Sequence, residues 1–185
     1  MLDFTTRPPV NGLDLAALDE TVAAVASDPA KGQVAFRVRT EWKGQTRSES
    51  TVDSYTLAGE VVPRSFTIVA DEPHALLGAD AAPNPQELLM SAVNACMMVG
   101  YVAQASIRGI ALDACRIETE AELDLRGFLG LEESLPVGHR RIAYTVFLEG
   151  DGSREQYEDI HQAVMATSPN YFNMAQPIQM VGRLA

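Results

Sequence analysis

The chain has 185 residues, of which 46% are hydrophobic and 21% charged, and its formal net charge is −11. This length is typical of one domain, and the apolar fraction excludes a disordered chain. The acidic balance argues against nucleic acid and against an anionic membrane surface as partners, since both require a basic face. Two cysteines are too few for a disulfide scaffold. The first residues show no basic segment followed by an apolar one, so we expect a cytoplasmic protein.

The first 70 residues predict one helix followed by strands. Apolar positions recur at helical spacing over about 11–28, after a capping asparagine and before Asp28-Pro29, which ends the helix. We predict three strands over about 33–70. The first two are joined by Lys43-Gly44-Gln45, a short glycine-containing link that predicts a hairpin. A loop rich in turn-forming residues follows, and its acidic start, Asp71-Glu72-Pro73, taken alone predicts a solvated turn.

An uncharged segment from Leu88 to Ile107 has about the length of a membrane-spanning helix. It carries polar residues such as Asn94 and Gln104, and no basic cluster flanks it, so we predict a buried helix over about 84–108 and no membrane partner. A helix that is apolar all round must be covered on every side. A sheet of this chain can cover one side and a second copy the other, so we predict a homodimer.

Strict alternation of apolar and polar residues over about 112–149 predicts two strands with one face in water. A capping box at Ser153 begins a helix over about 153–167, and Ser168-Pro169 ends it. The last segment, about 176–184, is predicted to be a strand. Antiparallel groups of strands separated by helices define an α+β class, and no linker divides the chain, so 1–185 is predicted to be a single domain.

Two cysteines are the candidates for chemistry. Cys96, in the middle of the central helix, is either a small core residue or a reactive thiolate. It lies about 12 residues inside the helix, too far for the helix dipole to help, so an arginine from another element would have to stabilise a thiolate. Cys115 faces inward on a strand and is predicted to pack in the core. The histidines show no metal-ligand spacing, so neither a metal nor a cofactor is expected.

The segment 71–96, DEPHALLGADAAPNPQELLMSAVNAC, resembles the signature of the OsmC/Ohr family, the osmotically inducible and organic hydroperoxide resistance proteins. RGFLGL at 126–131 and SPNYFN at 168–173 resemble one branch of OsmC-like proteins. The resemblance covers most of the chain. It implies an α+β intertwined homodimer whose antiparallel-rich sheets wrap long central apolar helices.

In the hydroperoxide reductases that this chain resembles, one cysteine attacks the peroxide and a second resolves the sulfenic acid, while an arginine and a glutamate activate the thiolate. Position by position, Cys96 matches the attacking cysteine and Gln86 stands at the catalytic glutamate, with Glu87 beside it. Ser168 stands where the resolving cysteine is expected. The arginine is expected from the first hairpin.

Arg47 is the candidate for that arginine, and Arg39 is the alternative. Without a resolving cysteine, the resemblance implies a one-cysteine, thiol-dependent organic hydroperoxide reductase in oxidative stress defence, whose sulfenic acid an external thiol reduces. Its expected catalytic residues are Cys96 and Arg47, and its expected substrate-binding residues are Gln86, Glu87, Ser168 and Phe128. The alternative is a non-catalytic protein that binds a small apolar ligand, with Cys96 structural.

Overall fold

The computed structural model describes residues 8–184. The chain divides into two compact units, Met1–Ser91 and Ala92–Ala185, and the boundary falls inside a long helix, α2 (Pro85–Ile107). Each unit contains helix and antiparallel sheet, so the predicted α+β class is confirmed. That the whole chain acts as a single domain stays a prediction.

Unit 1 begins with helix α1 (Leu15–Ser27), which starts later than the sequence predicted. Its N-cap is Asp14, whose carboxylate accepts a backbone N–H of the first turn. Asn11 and Gly12 have φ angles of 53° and 77°, and such left-handed residues form a turn rather than a helix. The helix therefore begins only after this turn.

A four-stranded antiparallel sheet makes up most of the rest of unit 1. The central strand pairs along one edge with two short strands in succession and along the other edge with one long strand. The hairpin predicted around residues 43–45 is present, closed by the Lys43 N–H that donates to the Arg47 carbonyl. The strands are β1 (Val34–Phe36), β2 (Arg39–Trp42), β3 (Ser48–Leu57) and β4 (Glu60–Ala70), with β3 in the centre.

Unit 2 packs the C-terminal part of α2 against an antiparallel pair of strands and a second long helix. Gly100 allows this helix to approach α2, since a Cβ at that position would lie 3.2 Å from a Val164 methyl carbon. The buried core consists of Met97, Tyr101, Ala105, Ile110, Ile160 and Val164. The remaining elements are β5 (Leu112–Ala121), α3 (Leu125–Phe128), β6 (Ile142–Gly150), α4 (Arg154–Thr167) and α5 (Pro169–Ala175).

Helix α2 is only partly covered in a single chain. Met97, Tyr101 and Ala105 are fully buried, whereas Val99 is 71% exposed. By length and composition the helix could cross a membrane, but core helices pass the same test, and its buried face contributes half of the core of unit 2. The exposed face of α2 is apolar, as expected of a helix that needs a second covering surface.

The predicted C-terminal strand over about 176–184 is wrong. The structure places helix α5 just before it and assigns no strand within that segment of the described chain. Ile178 and Met180 are 50% and 85% exposed there. Their apolar alternation indicates strand propensity, but a strand forms only where a neighbour accepts its hydrogen bonds, and β5 and β6 pair with each other.

Candidate functional site

The thiol of Cys96 meets a buried hydroxyl. Cys96 lies in the middle of α2 and is half-buried, and its Sγ accepts a hydrogen bond from Ser168 Oγ at 3.4 Å. Ser168 is only 5% exposed and lies at the junction of α4 and α5. The residue that stands at the expected position of a resolving cysteine is therefore in direct contact with Cys96.

The geometry of the α4–α5 junction orients this hydroxyl. As N-cap of α5, the Ser168 oxygen accepts the Tyr171 backbone N–H at 3.4 Å, which leaves the hydroxyl proton for the sulfur. Asn170 Nδ2 donates to the Ala92 carbonyl of α2 at 2.9 Å, so α5 is tied to α2 next to the thiol. A hydrogen bond to sulfur stabilises the thiolate more than the thiol, because bonds to a charged acceptor are stronger.

A second polar contact anchors the same helix to the sheet of unit 2. Thr119 Oγ1 on β5 donates to Asn94 Oδ1 on α2 at 2.6 Å. In the sequence, Asn94 is evidence against a membrane span, and no pattern singles out Asn170. The sequence signal for this contact is the amide side chain of Asn94 inside an otherwise apolar helix. A buried amide needs a hydrogen-bond partner, so it indicates a polar contact with another element.

The loop that leads into α2 is organised by a buried carboxylate. Asp71 is 1% exposed and accepts hydrogen bonds from Thr46 Oγ1 at 2.7 Å and from three backbone N–H groups, those of Glu72, Ala79 and Ala81. The Thr46 hydrogen bond, with the backbone donors, lowers the pKa of Asp71 against the opposing effect of burial. The prediction of a solvated acidic turn is therefore wrong at Asp71, whose buried side chain bonds to backbone N–H groups of its own loop.

Glu87 belongs to the N-terminal cap of α2. Its Oε2 accepts the Asn84 backbone N–H at 2.8 Å, and its own N–H donates to Asn84 Oδ1 at 2.9 Å. This reciprocal pair satisfies two N–H groups at the start of the helix. Glu87 thus has a structural role, and its predicted part in substrate binding stays a prediction, as does that of the half-buried Gln86 beside it.

The two candidate arginines lie on the β2–β3 hairpin, and each pairs with a carboxylate. Arg47 Nη2 lies 2.8 Å from Glu49 Oε1, and its side chain is 45% exposed. Arg39 Nε lies 3.6 Å from Glu41 Oε1, with a side chain that is 64% exposed. Both guanidinium groups retain further N–H donors, since each has five.

Of the predicted site residues, Cys96 and Ser168 are joined by a hydrogen bond within unit 2. Phe128 ends α3, also in unit 2, and is 68% exposed. Cys115, on β5, packs against the core of unit 2 as predicted, and burial raises the pKa of its thiol. The other predicted site residues belong to unit 1: Arg47, Gln86 and Glu87.

Comparison with known proteins identifies the class. The family model for OsmC-like proteins matches residues 78–181, more than half of the chain. An OsmC-like protein of Mycoplasma pneumoniae shares the fold at 13% identity and a TM-score of 0.57, over 76% of this chain and 86% of that one. An OsmC-like protein of Vibrio cholerae does so at 14% identity and a TM-score of 0.56, over 74% and 90%. A search of curated proteins finds no match. The chain belongs to the OsmC-like protein family.

Proposed function

We propose that this OsmC-like protein is a one-cysteine, thiol-dependent organic hydroperoxide reductase with Cys96 as its nucleophile. The observation that carries this proposal is the hydrogen bond from Ser168 Oγ to Cys96 Sγ. It places a hydroxyl donor at the sulfur that, as a thiolate, would attack a peroxide. Cys96 as a residue is half-buried and is not among the fully buried residues of α2.

In the proposed reaction, the Cys96 thiolate attacks the terminal peroxide oxygen and the O–O bond breaks. The organic fragment leaves as an alkoxide, takes up a proton and is released as an alcohol, while Cys96 becomes a sulfenic acid. An external thiol then attacks the sulfenic sulfur, water leaves, and a mixed disulfide forms. A second thiol releases Cys96 in its reduced form. Ser168 cannot form a disulfide, and Cys115 packs against the core of unit 2, so in this proposal both reducing equivalents come from external thiols.

Arg47 is the proposed activator of the thiolate. A guanidinium both stabilises a thiolate and orients a peroxide oxygen, and Arg47 has N–H donors beyond the one that faces Glu49. Phe128 and its neighbour Leu129, 68% and 60% exposed, provide apolar surface of the kind that an organic hydroperoxide would contact. These two roles rest on the family resemblance and on exposure.

A homodimer is part of the proposal. The apolar face of α2 that one chain leaves exposed, including Val99, needs cover, and a second copy supplies a matching apolar face. The mass of the protein in solution, by light scattering, tests this directly. A mass of twice 20.0 kDa is expected, and a monomer at micromolar concentration would contradict it.

The decisive experiment is intact mass spectrometry after one equivalent of cumene hydroperoxide in the presence of dimedone. We expect one dimedone adduct on the wild type and on Cys115→Ser, and none on Cys96→Ser. Because Cys115 is the second free cysteine, its variant is the matched control. An unmodified Cys96 in the folded wild-type protein would refute the proposed reaction.

A second candidate is a non-catalytic protein that binds a small apolar ligand. It is favoured by the residues at two positions: Ser168 stands where the resemblance implies a resolving cysteine, and Gln86 where it implies a glutamate. In that case Cys96 is a structural residue. An apolar ligand that raises Tm, together with a Cys96 that peroxide leaves unmodified, would support this second function.

A further inference from the structure

Unit 2 contains a cavity of about 570 Å³ between β6 and α4, within the size range of small-molecule sites. Neither Cys96 nor Ser168 lines it. The cavity is lined by four aromatic side chains and by apolar residues of β6. The aromatic residues are Tyr101, Tyr144, Tyr157 and His161, and the apolar ones are Val146 and Leu148.

A buried hydrogen bond determines what the cavity offers to a ligand. Tyr101 is fully buried, and its hydroxyl lies 2.5 Å from His161 Nδ1. Burial raises the pKa of Tyr101, so the phenol keeps its proton and can donate it to Nδ1. A neutral imidazole that accepts at Nδ1 carries its proton on Nε2. His161 is half-buried and lines the cavity, and in this arrangement its second ring nitrogen is a donor.

The aromatic side chains that line the cavity contact one another in the absence of a ligand. The His161 and Tyr101 rings are joined by this hydrogen bond with nearly parallel planes, 12° apart, and centroids 6.0 Å apart, and Tyr144 is tilted against His161 at 6.2 Å. Tyr171, outside the cavity, braces Tyr144 in an edge-on contact at 6.3 Å. Rigid aromatic rings present flat apolar area at a low entropic cost.

The charges at the mouth of the cavity cancel. Arg154 Nε lies 2.9 Å from Glu158 Oε1 one turn along α4, and both side chains are largely exposed. An exposed pair of this kind leaves little net field for an ionic ligand. The mouth therefore favours neither a cation nor an anion.

We infer that this cavity is a second small-molecule site, one that binds an uncharged planar aromatic compound with a carbonyl oxygen. The ring of the ligand lies against Tyr144, and its carbonyl accepts the Nε2–H of His161. Such a site goes beyond peroxide reduction, because it uses no atom of Cys96 and predicts binding without chemical change.

A matched pair of probes tests the inference: 2-acetylnaphthalene, which has the carbonyl, and 2-ethylnaphthalene, which lacks it. Equilibrium dialysis against the wild-type protein is expected to show one saturable site per chain. The ketone should bind about five-fold more tightly, the size of one neutral hydrogen bond. Equal affinities, or no saturable binding, would overturn the proposal.

Variants locate the site. Tyr144→Ala is expected to weaken the binding of both probes about ten-fold, whereas Tyr144→Phe, which keeps the ring, changes it less than two-fold. Tyr55→Ala, a half-buried tyrosine of unit 1, is the matched control and leaves binding unchanged. Ketone binding that survives Tyr144→Ala, or that is lost in Cys96→Ser, would place the site elsewhere and refute the inference.

The hydrogen bond is tested by removing its donor. His161→Phe alone would leave the Tyr101 hydroxyl buried without an acceptor, so the double variant Tyr101→Phe with His161→Phe is used as well, since removing both partners is close to neutral for folding. In this double variant the ketone should bind no better than the hydrocarbon. A preference for the ketone that persists would show that His161 is not its donor.

Discussion

Ser168 donates a hydrogen bond to Cys96 at 3.4 Å across 72 positions of the chain. The same oxygen caps helix α5 by accepting the Tyr171 N–H. The Ser168 side chain therefore has two roles. It caps the start of α5, and it contacts the thiol of Cys96, the only cysteine of helix α2. Removing the hydroxyl has consequences for both roles.

Ser168→Ala is expected to slow the alkylation of Cys96 by iodoacetamide at pH 7 about ten-fold, since a hydrogen bond to a charged group contributes roughly 1.5–3 kcal/mol. Loss of the N-cap should also lower the free energy of unfolding by about 1 kcal/mol. Ser153→Ala, at the cap of α4, is the matched control: it should cost similar stability while leaving the alkylation rate unchanged. Equal rates in both variants would refute an effect of Ser168 on the thiol.

Ser168→Cys is expected to convert a one-cysteine cycle into a two-cysteine cycle. The new sulfur would lie where an oxygen now lies 3.4 Å from Cys96 Sγ, and a small side-chain rotation could bring it to bonding distance. One equivalent of cumene hydroperoxide should then leave the variant about two mass units lighter, with no dimedone adduct. A persistent sulfenic acid in this variant would contradict the proximity of the two side chains.

Asp71→Asn is expected to lower Tm at pH 7. The folded state depresses the pKa of Asp71 below its ordinary value of 3.8, so its ionised form stabilises the fold above that value. This contribution is lost as the pH falls from 3.8 to below the pKa that Asp71 has in the folded state. The Tm difference between the variant and the wild type should therefore shrink over that pH range. The control is Asp113→Asn, at an exposed position on β5, whose Tm should follow the wild type throughout.

Glu87→Ala separates a capping role from a role in substrate binding. Loss of the carboxylate should lower the free energy of unfolding by about 1 kcal/mol, because the Asn84 N–H loses its acceptor. The rate of Cys96 oxidation by cumene hydroperoxide should not change. Glu87→Gln keeps an acceptor and should restore stability. A slower reaction in both variants would instead support the substrate-binding role predicted from the resemblance.

Arg47→Ala and Arg39→Ala test which arginine activates the thiolate. Both lie on the same hairpin and pair with a glutamate two residues away, so the two variants are matched. Stopped-flow reaction with cumene hydroperoxide should be at least ten-fold slower in Arg47→Ala, the size of one charge-assisted hydrogen bond. It should be unchanged in Arg39→Ala, and the reverse result would transfer the role to Arg39.

Elements with strong local signals were predictable. The alternation that starts near Cys115 and the capping box at Ser153 correspond to β5 and to the start of α4. The long uncharged segment corresponds to α2 within a few residues. The predicted start of α1 is too early because Asn11 adopts a left-handed turn. The spacing of hydrophobic residues carries no information on the backbone φ angle of such a residue.

The sequence by itself determined the class of fold and the position of Cys96 on an apolar helix, because periodicity, caps and turn residues are local properties. The family was indicated by the resemblance of segment 71–96 to a family signature. Only the tertiary structure decided that Ser168 meets this thiol, that Asp71 is buried and that His161 bonds to Tyr101. These contacts join residues far apart in the chain. They depend on how packed surfaces meet, which no local pattern encodes. For the same reason residues 176–184 lack a strand: within residues 8–184, the part of the chain that the structure describes, no neighbouring strand pairs with them.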